Sequence, residues 1–490
     1  MGSCIEREIN AFLWLSLIAV TTFLLGRLGK VFGLWSKARQ LPGPPCSSFY
    51  GHGQLFSGTS LTEILYTCHK KYGGVVKLWL GPTQLMVSVA DTELIKDVLL
   101  KAEDKLPLTG RAFRLAFGES SLFISSFEKV KYQRKSLEAR LGGATLLERA
   151  CSISTQVLDH VVERSQIATG NGGVDCEVVA QHLAFSILGT TIFGDKFLVW
   201  SKATVYEDLL MKIAKDACFW ASYGVAPFWK HEFWQYKDSC IQLKSLTQEL
   251  IKECRHTCKS ELLQDSGGDG EREHEPCGEI ISLMFHGSLT LSALIANILS
   301  RLLTHRHVQD KIYSEIVMAR KDGTRPDLQT MDGLPTLFAT IYESIRLLPA
   351  GPLLQRCSLQ HDLCLKNGIV IPAAAIVVVP VQLVQMDSLY WGNDASKFNP
   401  CRFLSLHDGK TEFLTVPNES EAFLPFGSGA RVCIGQKLAV RAISSLFAPL
   451  LENYEINLQP GSENNPKPVM NNHVLQFLPS PNIVFSRRST

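Results

Sequence analysis

Phe423-Leu-Pro-Phe-Gly-Ser-Gly-Ala-Arg-Val-Cys433-Ile-Gly-Gln436 decides how this chain is read. The stretch sets one cysteine in a loop carrying Gly427, Gly429 and Gly435, and a helix-like run from Gln436 to Ile443 follows at once. Glycine lets a backbone turn, and lets it pass close to a neighbour with no side chain in the way. Loop N–H groups and the positive end of the following helix both favour a charged thiolate. A thiolate that a flat group can approach from one side is what axial ligation of haem iron needs. The plainer alternative is an ordinary buried cysteine in a glycine loop.

The stretch resembles the haem-binding signature of cytochromes P450, Phe-x-x-Gly-x-Arg-x-Cys-x-Gly. Every fixed position is matched, by Phe426, Gly429, Arg431, Cys433 and Gly435. The resemblance implies a mainly α-helical fold with small β-sheets. It implies one large haem-thiolate domain over residues 41–490, preceded by a membrane anchor and basic flank over residues 1–40. It also implies haem b as cofactor, with Cys433 as the iron ligand and Phe426, Gly429, Arg431 and Gly435 around it.

Upstream, Thr340-Ile-Tyr-Glu343-Ser-Ile-Arg346-Leu-Leu-Pro349 places two opposite charges on one helix face. Buried charges need partners, and in the resembled family the third is an arginine of a Pro-Glu-Arg-Phe loop. Here that loop reads Pro400-Cys-Arg-Phe403, so Arg402 is the expected partner and Cys401 a departure. The network is expected to lock the loop before Cys433. Gln385 departs too, from the histidine of many relatives. Arg356, in Ala350-Gly-Pro-Leu-Leu-Gln-Arg356, is expected to pair with a haem propionate. So is Arg134, in the basic run Lys129 to Leu141, although Val130 stands where the family often has Trp. That run can equally be a solvated basic face or a docking patch for an acidic redox partner.

Gly278 to Leu303 is apolar nearly all round and reads as a long buried helix. Within it, Phe285-His286-Gly287-Ser288-Leu289-Thr290-Leu291 resembles the oxygen-side segment of the family, (Ala/Gly)-Gly-x-(Asp/Glu)-Thr-(Thr/Ser). The resemblance implies that Gly287 leaves room for O2 and that the Thr290 hydroxyl relays protons. His286, Leu289 and Leu291 depart from the pattern. With no acid at 289, His286 or ordered water must supply protons; alternatively His286 is a buried histidine bonded to a neighbouring helix.

Ile9 to Gly26 has no charged residue, and eighteen helical residues span about 27 Å, enough for a bilayer core. Arg27, Lys30, Lys37 and Arg39 follow, so the positive-inside rule leaves the body cytosolic. Leu41-Pro-Gly-Pro-Pro45 resembles the proline-rich hinge of microsomal members; no Arg- and Ser-rich presequence precedes it. An endoplasmic-reticulum membrane protein with a single-pass anchor is expected.

The body reads as strands Val75–Leu80 and Gln84–Val89 about a Gly81-Pro82 turn, then a helix capped by Asp91. An aromatic segment with Phe113, Phe117 and Phe123 follows. Cys151 to Lys259 reads as amphipathic helices, including the aromatic stretch Cys218 to Trp229, and Gln264 to Pro276 as a polar loop. Leu363–Ile371 reads as a hairpin and Leu451–Phe485 as terminal β-structure. Cys254 and Cys258 flank His256, but no second ligand pair follows at zinc-finger spacing, so both are placed on a polar helix face.

Length alone allows about three domains, but the resembled fold is one. With 46% hydrophobic and 20% charged residues the chain can bury a large core. A net charge of +2 gives no reason to expect nucleic acid, and the 14 scattered cysteines form no disulfide framework. The resemblance implies a monooxygenase that inserts one oxygen atom from O2 into a lipophilic small molecule such as a sterol, terpenoid or fatty acid. NADPH–cytochrome P450 reductase would be the electron-donating partner. Two other functions stay open: a haem-thiolate isomerase or dehydratase that needs neither O2 nor reductase, and a non-catalytic haem-bound lipid-binding protein.

Overall fold

The computed structural model describes the chain apart from residues 1, 47–49, 54–59, 106–114, 116, 119–121, 123–125, 170–171, 221–227, 256–261, 263–276, 322–332, 408–410, 416–421, 463–465, 472–473 and 489–490. Phe113, Phe123, His256, Cys258, most of the 218–229 stretch and all of the 264–276 stretch therefore lie outside the described residues. The chain is mainly helical with small sheets, as its sequence predicts. It forms two compact units, Met1–Ala102 with Gln355–Val379, and Glu103–Leu354 with Pro380–Thr490.

The first unit starts with α1 (Gly2–Ala38). Its apolar side chains are exposed from Ile9 to Leu28, which suits a helix surrounded by lipid. The helix does not stop at Gly26, where the uncharged run ends. It continues to Ala38 because its last turns gain partners. The Trp35 ring stacks on Trp79 at 4.1 Å, and its Nε1–H donates to the Pro82 carbonyl at 2.7 Å. Lys37 pairs with Asp362 at 2.6 Å, and Lys77 Nζ donates to the Ala38 carbonyl at 2.7 Å. The Lys77 N–H then donates to the Pro42 carbonyl at 2.8 Å, so the proline-rich stretch is pinned to a strand. For this reason compactness does not divide the chain at residue 40.

After α2 (Leu61–Tyr72), β1 (Val75–Trp79) and β2 (Leu85–Val89) pair antiparallel, with Val75 opposite Val89. Asp91 caps α3 (Thr92–Lys101), its Oδ1 accepting the N–H groups of Glu93 and Leu94 at 3.0 and 3.2 Å. These two strands begin a four-stranded sheet that continues from β2 through Ile376–Pro380 to Leu353–Arg356.

The second unit carries the long helices: α4 (Phe127–Leu141), α5 (Ala144–Thr169), then β3 (Val174–Asp175), α6 (Cys176–Phe193), α7 (Ala203–Trp220), α8 (His231–Arg255), α9 (Cys277–Thr304), α10 (Arg306–Lys321) and α11 (Pro335–Leu347). α6 is buried nearly all round rather than amphipathic, because helices pack against it on several sides. Cys254 is buried in the core, not on a polar face, and no metal-binding cluster exists among the described residues. α9 packs along α6 and is tied to α11 by Asn297, whose Nδ2 donates to the Ser344 carbonyl at 2.7 Å.

β4 (Leu353–Arg356) leads to the hairpin β5 (Leu363–Cys364) and β6 (Val370–Ile371), then to β7 (Ile376–Pro380), parallel to β2. Short helices α12 (Val381–Gln385) and α13 (Ser388–Trp391) precede the hairpin β8 (Leu404–His407) and β9 (Thr411–Leu414). The cysteine loop enters α14 (Gln436–Asn453). β10 (Tyr454–Leu458) and β13 (Asn482–Arg487) pair beside β3, and β11 (Pro466–Asn471) pairs with β12 (Val474–Pro479).

Candidate active site

The cysteine loop is closed by its own backbone. The Cys433 N–H donates to the Phe426 carbonyl at 2.9 Å, and the Gly427 N–H to the Leu424 carbonyl at 3.0 Å. Gly427 and Gly429 have φ of +73° and +71°, a region other residues enter only with strain. Gly435 differs: its φ is −95°, open to any residue. What it leaves is space, since a Cβ built there meets nothing within 4 Å. Cys433 itself is exposed. Protein nonetheless crowds the sulfur, and this burial pushes its thiol pKa up, opposed by the Gly435 N–H and the Arg134 charge. The loop thus offers an exposed cysteine whose sulfur has a backbone donor and a nearby cation. A planar group with a thiolate-seeking metal at its centre fits that cradle, and haem is such a group.

Arg134 lies on α4, and its Nη2 donates to the Val432 carbonyl at 2.5 Å. The structure therefore brings Arg134 and Cys433 together. Burial lowers the Arg134 pKa and the Cys433 thiolate counters that. Arg431 is buried and turned toward backbone: Nε donates to the Glu103 carbonyl at 2.9 Å and Nη1 to the Leu122 carbonyl at 3.4 Å, with Phe127 under the guanidinium. It anchors the loop to the chain before α4. Arg356 belongs to the first unit, buried on β4, where Nη1 donates to the Gln355 carbonyl at 3.0 Å. Arg140, at the end of the basic run, pairs with Glu279 in the first turn of α9 at 3.4 Å, and Gln133 bonds the same carboxylate at 2.7 Å.

On α9, His286, Gly287 and Thr290 are half-buried, at helical spacing, in an unbroken helix. The Thr290 hydroxyl donates to the His286 carbonyl at 2.6 Å, which leaves its oxygen able to accept. The His286 ring meets Phe285 edge-on at 5.4 Å, and Phe285 in turn packs on Phe117 of the aromatic segment at 5.1 Å. Leu289, in the place of the family's acid, faces a small cavity of about 40 Å³ between α6, α7 and α9, shared with Glu207 and Ser288. Gly287 faces α6: a Cβ there would lie 2.4 Å from Leu188 Cδ2.

The expected Glu343–Arg346 pair is fully buried and bidentate, Nε to Oε2 at 2.7 Å and Nη2 to Oε1 at 2.8 Å. Arg346 also donates to the carbonyls of Gln385 and Ala395, each at 2.7 Å, and lies under Trp391. Arg402 reaches Glu343 only at 3.5 Å; its shorter partners are Asp394 at 2.6 Å and the Trp391 and Asp394 carbonyls at 2.6 and 2.8 Å. Sequence reading missed what Gln385 does. Its amide donates to the Arg346 carbonyl at 2.9 Å and accepts the Leu424 N–H at 2.9 Å. Gln385 is thus a direct hydrogen-bonded tie between α11 and the cysteine loop, beside the contact of Tyr342 with Phe423. Its partners lie about forty residues away on either side, and no local signal announces them.

A family model described as Cytochrome P450 matches residues 41–485. Cytochrome P450 3A31 of Mesocricetus auratus is 27% identical over 474 residues, covering 91% of each chain. Cytochrome P450 734A1 of Arabidopsis thaliana is 26% identical, over 91% of this chain and 86% of its own. The 11-oxo-beta-amyrin 30-oxidase of Glycyrrhiza uralensis is 25% identical, over 82% of this chain and 79% of its own.

Proposed function

We propose, since the chain belongs to the cytochrome P450 family of haem-thiolate monooxygenases, that it oxygenates a lipophilic small molecule of the sterol, terpenoid or fatty-acid kind. The electrons come from NADPH through NADPH–cytochrome P450 reductase, and the enzyme sits on the endoplasmic-reticulum membrane with its catalytic units on the cytosolic side. One observation carries this reading: Cys433 is held by a closed loop, has a donor and a cation near its sulfur, and is exposed. The apolar, exposed α1 supports the membrane location and hence a substrate drawn from lipid. The oxidase among the relatives supports oxidation chemistry, and no more is taken from its name.

Haem b, when bound, supplies O2 binding and O–O bond cleavage. The rest falls to the chain. Cys433 gives up its thiol proton on ligation, and the Gly435 N–H and Arg134 hold the resulting negative charge. Arg134 and Arg356 are assigned to the propionates. The Thr290 hydroxyl, anchored through its proton to the His286 carbonyl, accepts a hydrogen bond from water on the open side of α9 and passes protons inward. His286 is assigned as a second proton carrier, and Gly287, whose Cβ position faces α6, to the turn that holds both. The reductase is assigned to α4 and Lys437. The Lys437 stem lies 3.6 Å from the Cβ position of Gly142, directly after α4, so Lys437 stands beside the end of that helix. Arg140 is engaged with Glu279 and does not belong to that patch.

Leu289 favours a second reading, an isomerase or dehydratase that uses the same haem without O2, because that position holds no acid. Incubation with reductase, NADPH and 18O2 on a panel of a sterol, a triterpene and a fatty acid separates the two. Product carrying one 18O is the expected result. Product formed equally without O2 and reductase would replace the monooxygenase with the second reading.

A further inference from the structure

Gly287 and Leu188 meet where α9 crosses α6. A Cβ on Gly287 would stand 2.4 Å from Leu188 Cδ2, closer than carbon atoms approach, while Leu188 Cδ1 and Cγ lie 3.5 Å away. The missing side chain of Gly287 is thus replaced by a methyl group of another helix. To make room, Leu188 would have to move within the core. It is buried in the main core, and the next residue, Gly189, is pressed from behind by Phe197. A Cβ on Gly189 would fall 2.0 Å from the Phe197 ring. Phe197 is itself wedged between Phe185 at 5.1 Å and Phe193 at 5.6 Å. Three layers therefore stack rigidly: the Phe197 ring, the Leu188–Gly189 backbone, and the Gly287 turn of α9. Close-packed interiors transmit such a contact as displacement rather than absorb it.

The same turn of α9 carries Thr290, whose hydroxyl is hung from the His286 and Gly287 carbonyls at 2.6 and 3.4 Å. Any shift at Gly287 moves the atoms that hold that hydroxyl. We propose that Leu188 is a positioning residue for the oxygenation reaction: through Gly287 it sets where the His286–Thr290 turn stands, and glycine is required at 287 by this rear contact. The proposal rests on the monooxygenase reading for its functional half and on the packing alone for its structural half.

The test uses the full chain with haem, in membranes, as four proteins: wild type, G287A, L188A and G287A/L188A, with L188V added in case L188A folds poorly. Three quantities are read: the thermal midpoint, the infrared stretching frequency of bound CO without substrate, and the fraction of NADPH electrons that reach product rather than peroxide. G287A is expected to lower the midpoint, shift the CO band, and reduce coupling roughly 10- to 100-fold, the scale of an ångström-sized misplacement. Trimming Leu188 in the double variant, to Ala or Val, is expected to return all three toward wild type. If the double variant recovers the midpoint but neither the CO band nor coupling, the contact is real and the positioning role is overturned. If G287A leaves the midpoint unchanged, the contact itself is refuted. If wild type itself forms no product from any panel compound, the monooxygenase reading has failed; the midpoint and CO band still decide the contact.

Discussion

Gly427 and Gly435 stand eight residues apart and are glycine for different reasons. At Gly427 and Gly429 the positive φ makes an added Cβ cost about 1–2 kcal/mol each. At Gly435 the backbone is ordinary and the cost falls on whatever occupies the open side. G427A is therefore expected to lower the denaturation midpoint of the haem-free protein. G435A is expected to leave that stability within about 0.5 kcal/mol while lowering the haem-to-protein absorbance ratio on reconstitution. Equal haem retention by G435A would show that the open space is not the cofactor's. The cysteine and its glycines were legible because a loop's conformation is set by residues close together in the chain. Gln385 stood out in the sequence only as a departure, because the groups it joins are brought together by folding alone. Leu188 gave no signal at all among the other apolar residues of α6.

Helices and strands followed from local pattern where one pattern dominated. The apolar run of α9, the Asp91 cap and the β1–β2 turn all reappear in the structure. α1 outran its apolar run because Trp79, Pro82 and Asp362, distant in sequence, receive its last turns. Between elements, charge now matters. Arg346→Met leaves Glu343 charged, fully buried and without its bidentate partner; Arg402, 3.5 Å away, does not replace it. A loss of about 3–5 kcal/mol in urea denaturation is expected; a loss under about 1 kcal/mol would mean the pair is not the brace proposed. α6 and α7 are joined differently, by His182 Nδ1 at 3.1 Å from Glu207, with Gln181 on the same carboxylate. Glu207 raises the His182 pKa, chiefly through that hydrogen bond, against burial and Arg164 which lower it, with Asp208 adding a small rise. A raised histidine pKa contributes stability fully below the ordinary value of 6.5 and loses it as pH climbs through the raised value. Thermal midpoints from about pH 5 to about pH 8 should therefore fall across that window in wild type, and less steeply in E207Q. Parallel profiles would remove this bond from the account.

At the scale of the molecule, the anchor is part of the fold it leads into. Removing residues 2–28 takes away the run whose apolar side chains are exposed from Ile9 to Leu28, and should free the protein from membranes with its thermal midpoint unchanged. Extending the deletion to residue 38 also removes Trp35 and Lys37 and should lower the midpoint by several degrees, since about 1 kcal/mol moves a large domain by ~2–4 °C. Identical midpoints would separate anchor from body after all. The family and the helical architecture were readable from the motifs around Cys433 and Glu343, which fix the fold's centre. The substrate was not, because no motif in the sequence specifies one.

The central claim is that Cys433 holds haem iron through its sulfur in an enzyme that a reductase supplies with electrons. A CO difference spectrum of the membrane-embedded protein tests it most directly, with NADPH and reductase first and dithionite second, in wild type and C433S. The account predicts a red-shifted thiolate-type band with NADPH alone in wild type, and its loss in C433S. Haem-containing wild-type protein without that band under either reductant, or C433S with it, would contradict the account.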